Sequence, residues 1–354
     1  MTFDDYVDQL VDEDALAAYL TTEIGPAEDY ELERFSGGHS NETLFLTWDQ
    51  TDLVLRRPPA GETADNAHDV LREYHVMDAL QDTAVHVPRT ILACEDDTII
   101  GSEFYLMERE RGDVLREREL DRFATPATRR RVGRALVDRL ADIHTVDYDA
   151  VGLAEFGRPD GYLTRQVDRW HDQYEWACEV TADERSIPAM DVLYDWLSSN
   201  VPDTSPSALV HGDYKLDNVI FGRDSPPEIV GIVDWEMSTL GDPLTDLGWL
   251  LSYWRDPADS PCAIPELIPA FTERDGYPTK RELVSRYESR TGLEFSNSQF
   301  YRGLAVFKFT AVCEMFFRRH LDGNADDSLY PKMRDRVPAM ADWGVRIIDG
   351  DEPL

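Results

Sequence analysis

Residues 209–221 read L-V-H-G-D-Y-K-L-D-N-V-I-F. Apolar, strand-forming residues at both ends enclose a polar loop in which His211, Asp213, Lys215 and Asn218 stand at short, fixed spacings. A turn of this kind can aim a carboxylate at a hydroxyl, offer an amide oxygen to a metal and bring an ammonium to a phosphate. Further on, the apolar segment E-I-V-G-I-V ends in Asp234-Trp235-Glu236. A carboxylate at a strand's end, opposite an asparagine, suits Mg²⁺, a hard cation that takes few protein oxygens and keeps waters and phosphates as its other ligands.

Outward from these loops, the periodicity changes sign along the chain. Residues 3–22 alternate apolar and acidic positions at helical spacing, which predicts an amphipathic lead-in helix. Tyr30–Phe35, Glu42–Trp48 and Asp52–Arg56 are short, β-branched or aromatic, and separated by turn residues, so they read as strands. A helix from about Thr63 to Leu80 follows, then strands at Thr90–Ala93 and Ile99–Met107. Beyond Gly112 helical periods dominate 126–145, 161–179, 187–200, 243–255, 279–290 and 298–320. Two short strands interrupt them, Leu209–Val210 and Glu228–Val233. The expected fold is α+β: a small antiparallel-sheet lobe with one helix over residues 1–109, and a larger, mainly helical lobe over 110–354. The polar E-R-E-R-G run at 108–112 marks the boundary, and the lobes should pack across a cleft. No period of 20–50 residues recurs, which excludes solenoids and propellers.

The two polar loops resemble the catalytic core of the kinase-like phosphotransferases, the aminoglycoside and choline kinase group, whose loop has the form H-x-D-x-x-x-x-N followed by a strand and Asp. The resemblance implies a two-lobed, protein-kinase-like fold and an ATP- and Mg²⁺-dependent transfer of a phosphoryl group to the hydroxyl of a small molecule. Carried over by position, Asp213 is expected as the catalytic base, Asn218 and Asp234 as the magnesium ligands, and His211 as a buttress of the loop. Lys215 matches the lysine that steadies the transferring phosphoryl group in eukaryotic kinases. V-L-R-R-P-P-A-G, R-E-Y-H-V-M-D-A-L, I-H-T-V-D-Y-D-A-V-G-L, L-T-R-Q-V-D-R-W and D-W-E-M-S-T-L-G-D-P-L-T-D-L-G-W are similar to the kinase-like domain of acyl-CoA dehydrogenase family members ten and eleven. That narrower resemblance implies a hydroxyl on an acyl-CoA or similar metabolite as acceptor. Two alternatives stand beside it: a nucleotide-binding pseudokinase, and an antibiotic phosphotransferase of the aminoglycoside type.

The small lobe should supply the nucleotide's cover. Gly37, Gly38, Ser40 and Asn41, between two expected strands, offer backbone amides to phosphates. Arg56 ends L-V-L-R, where kinases place a phosphate-pairing lysine; arginine keeps the charge and adds a bidentate fork. Glu73 shares an apolar helical stripe with Val70, Tyr74, Met77 and Leu80, a costly place for a carboxylate unless it meets a cation, and Arg56 is the natural partner. By resemblance Met107 borders the adenine and the backbone near Arg109 bonds its edge. In the helical lobe, Arg165 and Arg169 either bind an anionic acceptor or offset the acidic surface. Trp170, His171, Tyr174 and Trp176 either line an acceptor site or belong to the core. Asp242 is expected to cap a helix, and Asp246 to tie that helix to the catalytic loop. The apolar helix Leu304–Phe317 reads as core.

Composition bounds the partners. Seventy acidic residues against 35 basic ones give a formal charge of -35, which argues against nucleic acid and against anionic membranes. Only four of the basic residues are lysines, Lys215, Lys280, Lys308 and Lys332. Excess carboxylate with so little lysine fits a salt-rich, halophilic cytoplasm, where screening removes self-repulsion. The four cysteines form no C-x-x-C pair, and the acidic N-terminus lacks the basic start of a signal peptide. A cytoplasmic protein is expected, with its oligomeric state left open.

Overall fold

The computed structural model describes residues 10–35, 41–59, 70–203, 206–323, 327–352 and 354. Its first sheet has five strands in the order β1-β2-β3-β5-β4, every pair antiparallel. They are β1 (Tyr30–Arg34), β2 (Glu42–Trp48), β3 (Thr51–Arg57), β4 (Thr90–Cys94) and β5 (Phe104–Glu108). Side chains alternate across such a sheet. Leu44, Leu46, Leu53, Leu55 and Leu106 face one way and form a core of their own with Leu16 and Leu20 of α1 (Glu13–Ile24). On the other face the register lines up two rows, Phe45–Val54–Met107 and Thr43–Arg56–Tyr105. Val54, Tyr105 and Met107 there join the main core, together with Val70, Met77 and Leu80 of α2 (Val70–Leu80).

Several expected bounds shift for local reasons. The lead-in helix cannot run unbroken from 3 to 22, because Asp12 accepts the Ala15 amide at 3.0 Å and caps α1 at Glu13; residues 1–9 lie outside the described residues. The helix placed at Thr63–Leu80 is described only from Val70. The strand placed at Ile99–Met107 begins at Phe104. Asp96 accepts both the amide and the hydroxyl of Thr98, at 2.9 and 2.6 Å, and the turn so formed runs into Gly101 with a φ of 80°.

The helical region contains α3 (Pro126–His144), α4 (Tyr162–Thr181), α5 (Pro188–Ser199), α6 (Leu244–Ser252), α7 (Lys280–Thr291), α8 (Ser298–Leu321) and α9 (Met333–Asp349). The first six match the expected helices to within a few residues. The last was not expected: Pro338 interrupts its pattern, yet Met333, Val337, Met340 and Ile347 recur at helical spacing and are buried. Helix α8 is buried on nearly all sides, as a central helix must be. Two small antiparallel ribbons are set into these helices. One pairs β7 (Ala208–Val210) with β10 (Thr239–Gly241); the other pairs β8 (Val219–Gly222) with β9 (Ile229–Ile232), and β6 (Gly112–Asp113) adds to β8. The H-G-D loop thus runs from β7 to β8 and the D-W-E turn from β9 to β10. The D-W-E turn meets α2 through the Trp235 amide and Glu73. No described helix is long and apolar enough to cross a membrane.

Candidate active site

The H-G-D loop is built on a carboxylate from another element. Asp246, buried on α6, accepts the amides of His211 and Gly212 at 2.6 and 2.9 Å and lies 3.2 Å from His144 Nε2. Burial pushes its carboxyl up, but the bonds to His144 and the loop prevail and hold it below the usual carboxylate range. Gly212 is required where it stands. Its φ is 83°, and a Cβ would meet the Met237 carbonyl oxygen at 2.5 Å. The buried His211 ring accepts the Asp213 amide on Nδ1 at 3.2 Å and donates from Nε2 to the Val233 carbonyl at 3.1 Å. Burial lowers its pKa, so the ring stays neutral and ties one polar loop to the other.

Asp213 is thereby presented with both oxygens held. Trp249 Nε1 donates to Oδ1 at 2.8 Å, while Lys215 Nζ and Asn218 Nδ2 donate to Oδ2 at 2.5 and 3.0 Å. Burial would raise this carboxyl, but the Lys215 and Lys308 ammoniums outweigh it and the pKa falls. Asp213 is therefore an ionised acceptor at neutral pH.

Asp234 reaches the same space from the other side. Its φ of 69° is a left-handed conformation, uncommon for any residue but glycine. Bonds on both flanks hold it: the Val233 amide donates to the Asn218 carbonyl at 3.0 Å, and the Trp235 amide to Glu73 Oε1 at 3.2 Å. Glu73 Oε2 accepts Arg56 Nε and Nη2 at 3.3 and 3.2 Å; Arg56 Nη1 donates to Thr43 Oγ1 at 2.8 Å, and Nη2 lies 3.8 Å from Asp234. The expected meeting of Arg56 and Glu73 is present. It forms a strut from β3 through α2 to the D-W-E turn. Burial works against the Arg56 charge, yet Glu73 more than restores it and the pKa rises. The Asp234 carboxyl is raised, by burial first, with Arg56 opposing.

The donors here fit a lightly held hard cation. Asn218 Nδ2 is committed to the carbonyl and carboxylate of Asp213, which turns its amide oxygen away from that loop. The Asp234 side chain is one-third exposed. No cluster of three or more His, Cys, Asp or Glu side chains suited to a metal occurs among the described residues. An amide oxygen and one carboxylate suit Mg²⁺, which keeps waters and phosphates, and do not suit an ion needing a full protein cage.

The small-lobe residues fall less evenly. Gly37, Gly38 and Ser40 lie outside the described residues. Asn41 is buried with Nδ2 3.5 Å from Glu236 Oε2, so it bridges to the D-W-E turn. Met107 is buried in the row with Phe45 and Val54. The Arg109 amide donates to the Asp52 carbonyl at 2.9 Å, and its guanidinium sits 3.5 Å from the centroid of Phe45.

Sequence reasoning missed Trp249 and Lys308. Lys308, in the middle of α8, donates to the Gly212 carbonyl at 2.5 Å and lies 4.0 Å from the Trp249 ring centroid. Burial lowers its pKa to about 8. The signal was present, a single lysine inside an apolar helix. On α4, Trp170 and Tyr174 are buried, His171 stacks on Tyr194 at 3.7 Å, and Trp176 is exposed. Asp242 accepts the Leu244 amide at 2.9 Å and the Tyr301 hydroxyl at 2.9 Å, fixing the start of α6.

Solved proteins that share this fold include phosphotransferases. A Ralstonia eutropha protein provisionally called an aminoglycoside phosphotransferase superposes with a TM-score of 0.82 at 33% identity, over 96% of this chain and 99% of the other. The aminoglycoside phosphotransferase APH(4)-Ia, solved with AMP-PNP and hygromycin B, shares the fold at 17% identity and a TM-score of 0.60, over 93% and 98% of the two chains. The profile of the phosphotransferase enzyme family (APH) matches residues 31–283, and this chain belongs to that family. Acyl-CoA dehydrogenase family member 11 of Rattus norvegicus is 34% identical over 343 residues, which are 94% of this chain and 43% of the relative. For family member 10 of Mus musculus the identity is 34% over 342 residues, 94% of this chain and 31% of the relative. The chain therefore spans less than half the length of these curated relatives.

Proposed function

We propose that this protein is an ATP- and Mg²⁺-dependent phosphotransferase acting on the hydroxyl of a small molecule. The observation that carries the reading is Asp213, an ionised carboxylate fixed on both oxygens and set beside Lys215, with Asp234 facing it from the Arg56–Glu73 strut. Crystals of relatives with AMP-PNP or ADP support the nucleotide. Residues 1–109 would cover it, with the row Phe45–Val54–Met107 above the base. Residues 110–354 would bring the loops beneath. Asn218 and Asp234 would hold Mg²⁺, which when bound screens the phosphate charge.

In the transfer, the acceptor oxygen bonds to the γ-phosphorus as the bond from that phosphorus to the bridging oxygen of ADP breaks. The hydroxyl proton goes to Asp213 and ADP leaves. Trp249 and Asn218 hold the Asp213 carboxylate in one orientation for that proton, and the Lys215 ammonium stands where charge gathers on the phosphoryl oxygens. His211 and Asp246 position the loop. Arg56 is already aligned by Glu73, which favours an enzyme over a pseudokinase. The relatives of the acyl-CoA dehydrogenase family support a hydroxyacyl-CoA-type acceptor. The acidic surface supports a salt-rich cytoplasm as its setting.

The test is release of ADP and mass gain of the acceptor, with and without Mg²⁺, over a panel of hydroxyl compounds. Asp213→Asn is expected to bind nucleotide and to lower turnover by ~10²–10⁴. Wild-type turnover in that variant would remove Asp213 as base.

A further inference from the structure

On the far side of the H-G-D loop, between α4, α6, α8 and the D-W-E turn, lies a cavity of about 310 Å³. It shares a wall with the reacting carboxylate. Trp249 lines it and donates to Asp213, and Lys308 lines it and donates to the Gly212 carbonyl. The charge of its lining runs against the rest of the protein. Arg72, Arg158, Arg165, Arg169 and Lys308 face it against only two described carboxylates, Glu236 and Asp246, in a chain with 70 acidic residues and 35 basic ones. Asp246 is already occupied by three donors from His144, His211 and Gly212.

How these arginines are held matters more than their number. Elsewhere arginines meet acids: Arg129 with Glu119, Arg255 with Glu273, Arg286 with Asp138, Arg336 with Glu266. Around the cavity, Arg165 donates to the backbone carbonyls of Arg158 and Asp160. Carbonyls orient a guanidinium without cancelling its charge. Arg158 and Arg169 are exposed, and neither pairs with a carboxylate among the described residues. Guanidinium forks match carboxylates and phosphates bidentately. A polycationic aminoglycoside would enter this lining against repulsion.

We propose that this cavity takes the acceptor and that the acceptor is an anion, a hydroxyl compound whose carboxylate or phosphate is held by Arg158, Arg165 and Arg169 while its hydroxyl meets Asp213. The inference rests on the phosphotransferase reading and adds the charge class of its acceptor. Three probes test it on the whole chain by calorimetry and by ADP release with Mg-ATP: 3-hydroxybutyrate, 3-hydroxybutyryl-CoA and kanamycin. At least one anionic probe should bind, the free acid marking carboxylate recognition and the thioester alone marking phosphate recognition. The double variant Arg158→Ala/Arg169→Ala should weaken that binding at least ~10-fold, and Arg169→Glu further. Arg334→Ala, which removes a charge paired with Glu184 away from the cavity, should bind as the wild type does. The proposal is overturned if neither anionic probe binds at millimolar concentration, if kanamycin binds more tightly than both, or if the double variant binds them unchanged. Anion binding that the double variant loses, with no ADP formed from any probe, would instead retire the phosphotransfer reading and leave the anion site standing.

Discussion

Arg56 and the arginines of the cavity flank the same pair of loops, and the protein treats their charges in opposite ways. Arg56 is buried and meets a buried carboxylate, Glu73, with Asp234 close by. A guanidinium taken out of water must be neutralised where it stands, so this one has become a strut whose work is alignment. Arg158 and Arg169 are exposed, and among the described residues neither forms an ion pair with a carboxylate. Hydration supports their charge until a ligand arrives. A paired cation sets geometry and an unpaired one sets selectivity. Damage to the first should appear in turnover and stability, and damage to the second in the KM of the acceptor.

The largest effect should come from the residue that the strut serves. Asp234→Ala removes a full charge from the proposed Mg²⁺ site, and we expect Mg-nucleotide affinity to fall at least ~100-fold. Asn218→Ala removes a neutral donor and should cost less. Titration of Mg²⁺-dependent nucleotide binding checks both, and wild-type affinity in Asp234→Ala would move the metal site elsewhere.

The strut itself comes next. Glu73→Ala strands a buried guanidinium and should destabilise the fold by ~3 kcal/mol, as breaking a buried pair does. Arg56→Ala should lower turnover by about tenfold, since the alignment it gives is lost. A contacting pair shares its interaction, so the double variant should cost less than the sum, with a coupling of ~0.5–3 kcal/mol. Strict additivity in denaturant melts would show that the two act apart, and the contrast with the cavity arginines would lose its basis.

What was legible in the sequence follows the distance over which each feature is written. The H-G-D and D-W-E loops are local, each flanked by its own strands, so the fold class could be read from them, and with it that the two loops would meet. Glu73 betrayed itself as a carboxylate on an apolar stripe, and its partner Arg56 followed from charge. Lys308 and Trp249 sit inside helices whose apolar character points to core, and only packing brings them to Asp213. Helix α9 was hidden by Pro338.

Lys308 stands between the two regimes, half-paired and touching both loop and cavity. Asp213, Asp246, Lys215 and Arg169 all act on it, and burial lowers its pKa from 10.5 to about 8. Between these values the unfolded chain holds a proton that the folded chain has released, so this group's contribution to stability rises with pH over that window. Lys308→Met should therefore melt higher than wild type at pH 7 and lose that part of the pH dependence. Acceptor KM should rise a few-fold in wild type as pH passes about 8 and be raised throughout in the variant. A variant with unchanged KM at pH 7 would make Lys308 a purely structural residue.

The mildest test separates surface from cavity by salt. A charge of -35 on 354 residues makes the folded chain self-repelling in dilute buffer. Screening shortens from about 8 Å at physiological ionic strength to about 3 Å at 1 M, so added KCl removes repulsion between surface carboxylates and should raise the melting temperature by several degrees. The same screening acts on the exposed arginines of the cavity, where it weakens attraction for an anionic acceptor. The Arg56–Glu73 pair is buried and should respond little. Melting temperature and acceptor KM should therefore both climb with KCl, while Mg-nucleotide affinity changes least. A melting temperature that stays flat or falls would remove the halophilic reading and leave phosphotransfer untouched. A KM indifferent to salt would count against arginine capture of the acceptor, because an exposed ion pair cannot escape screening.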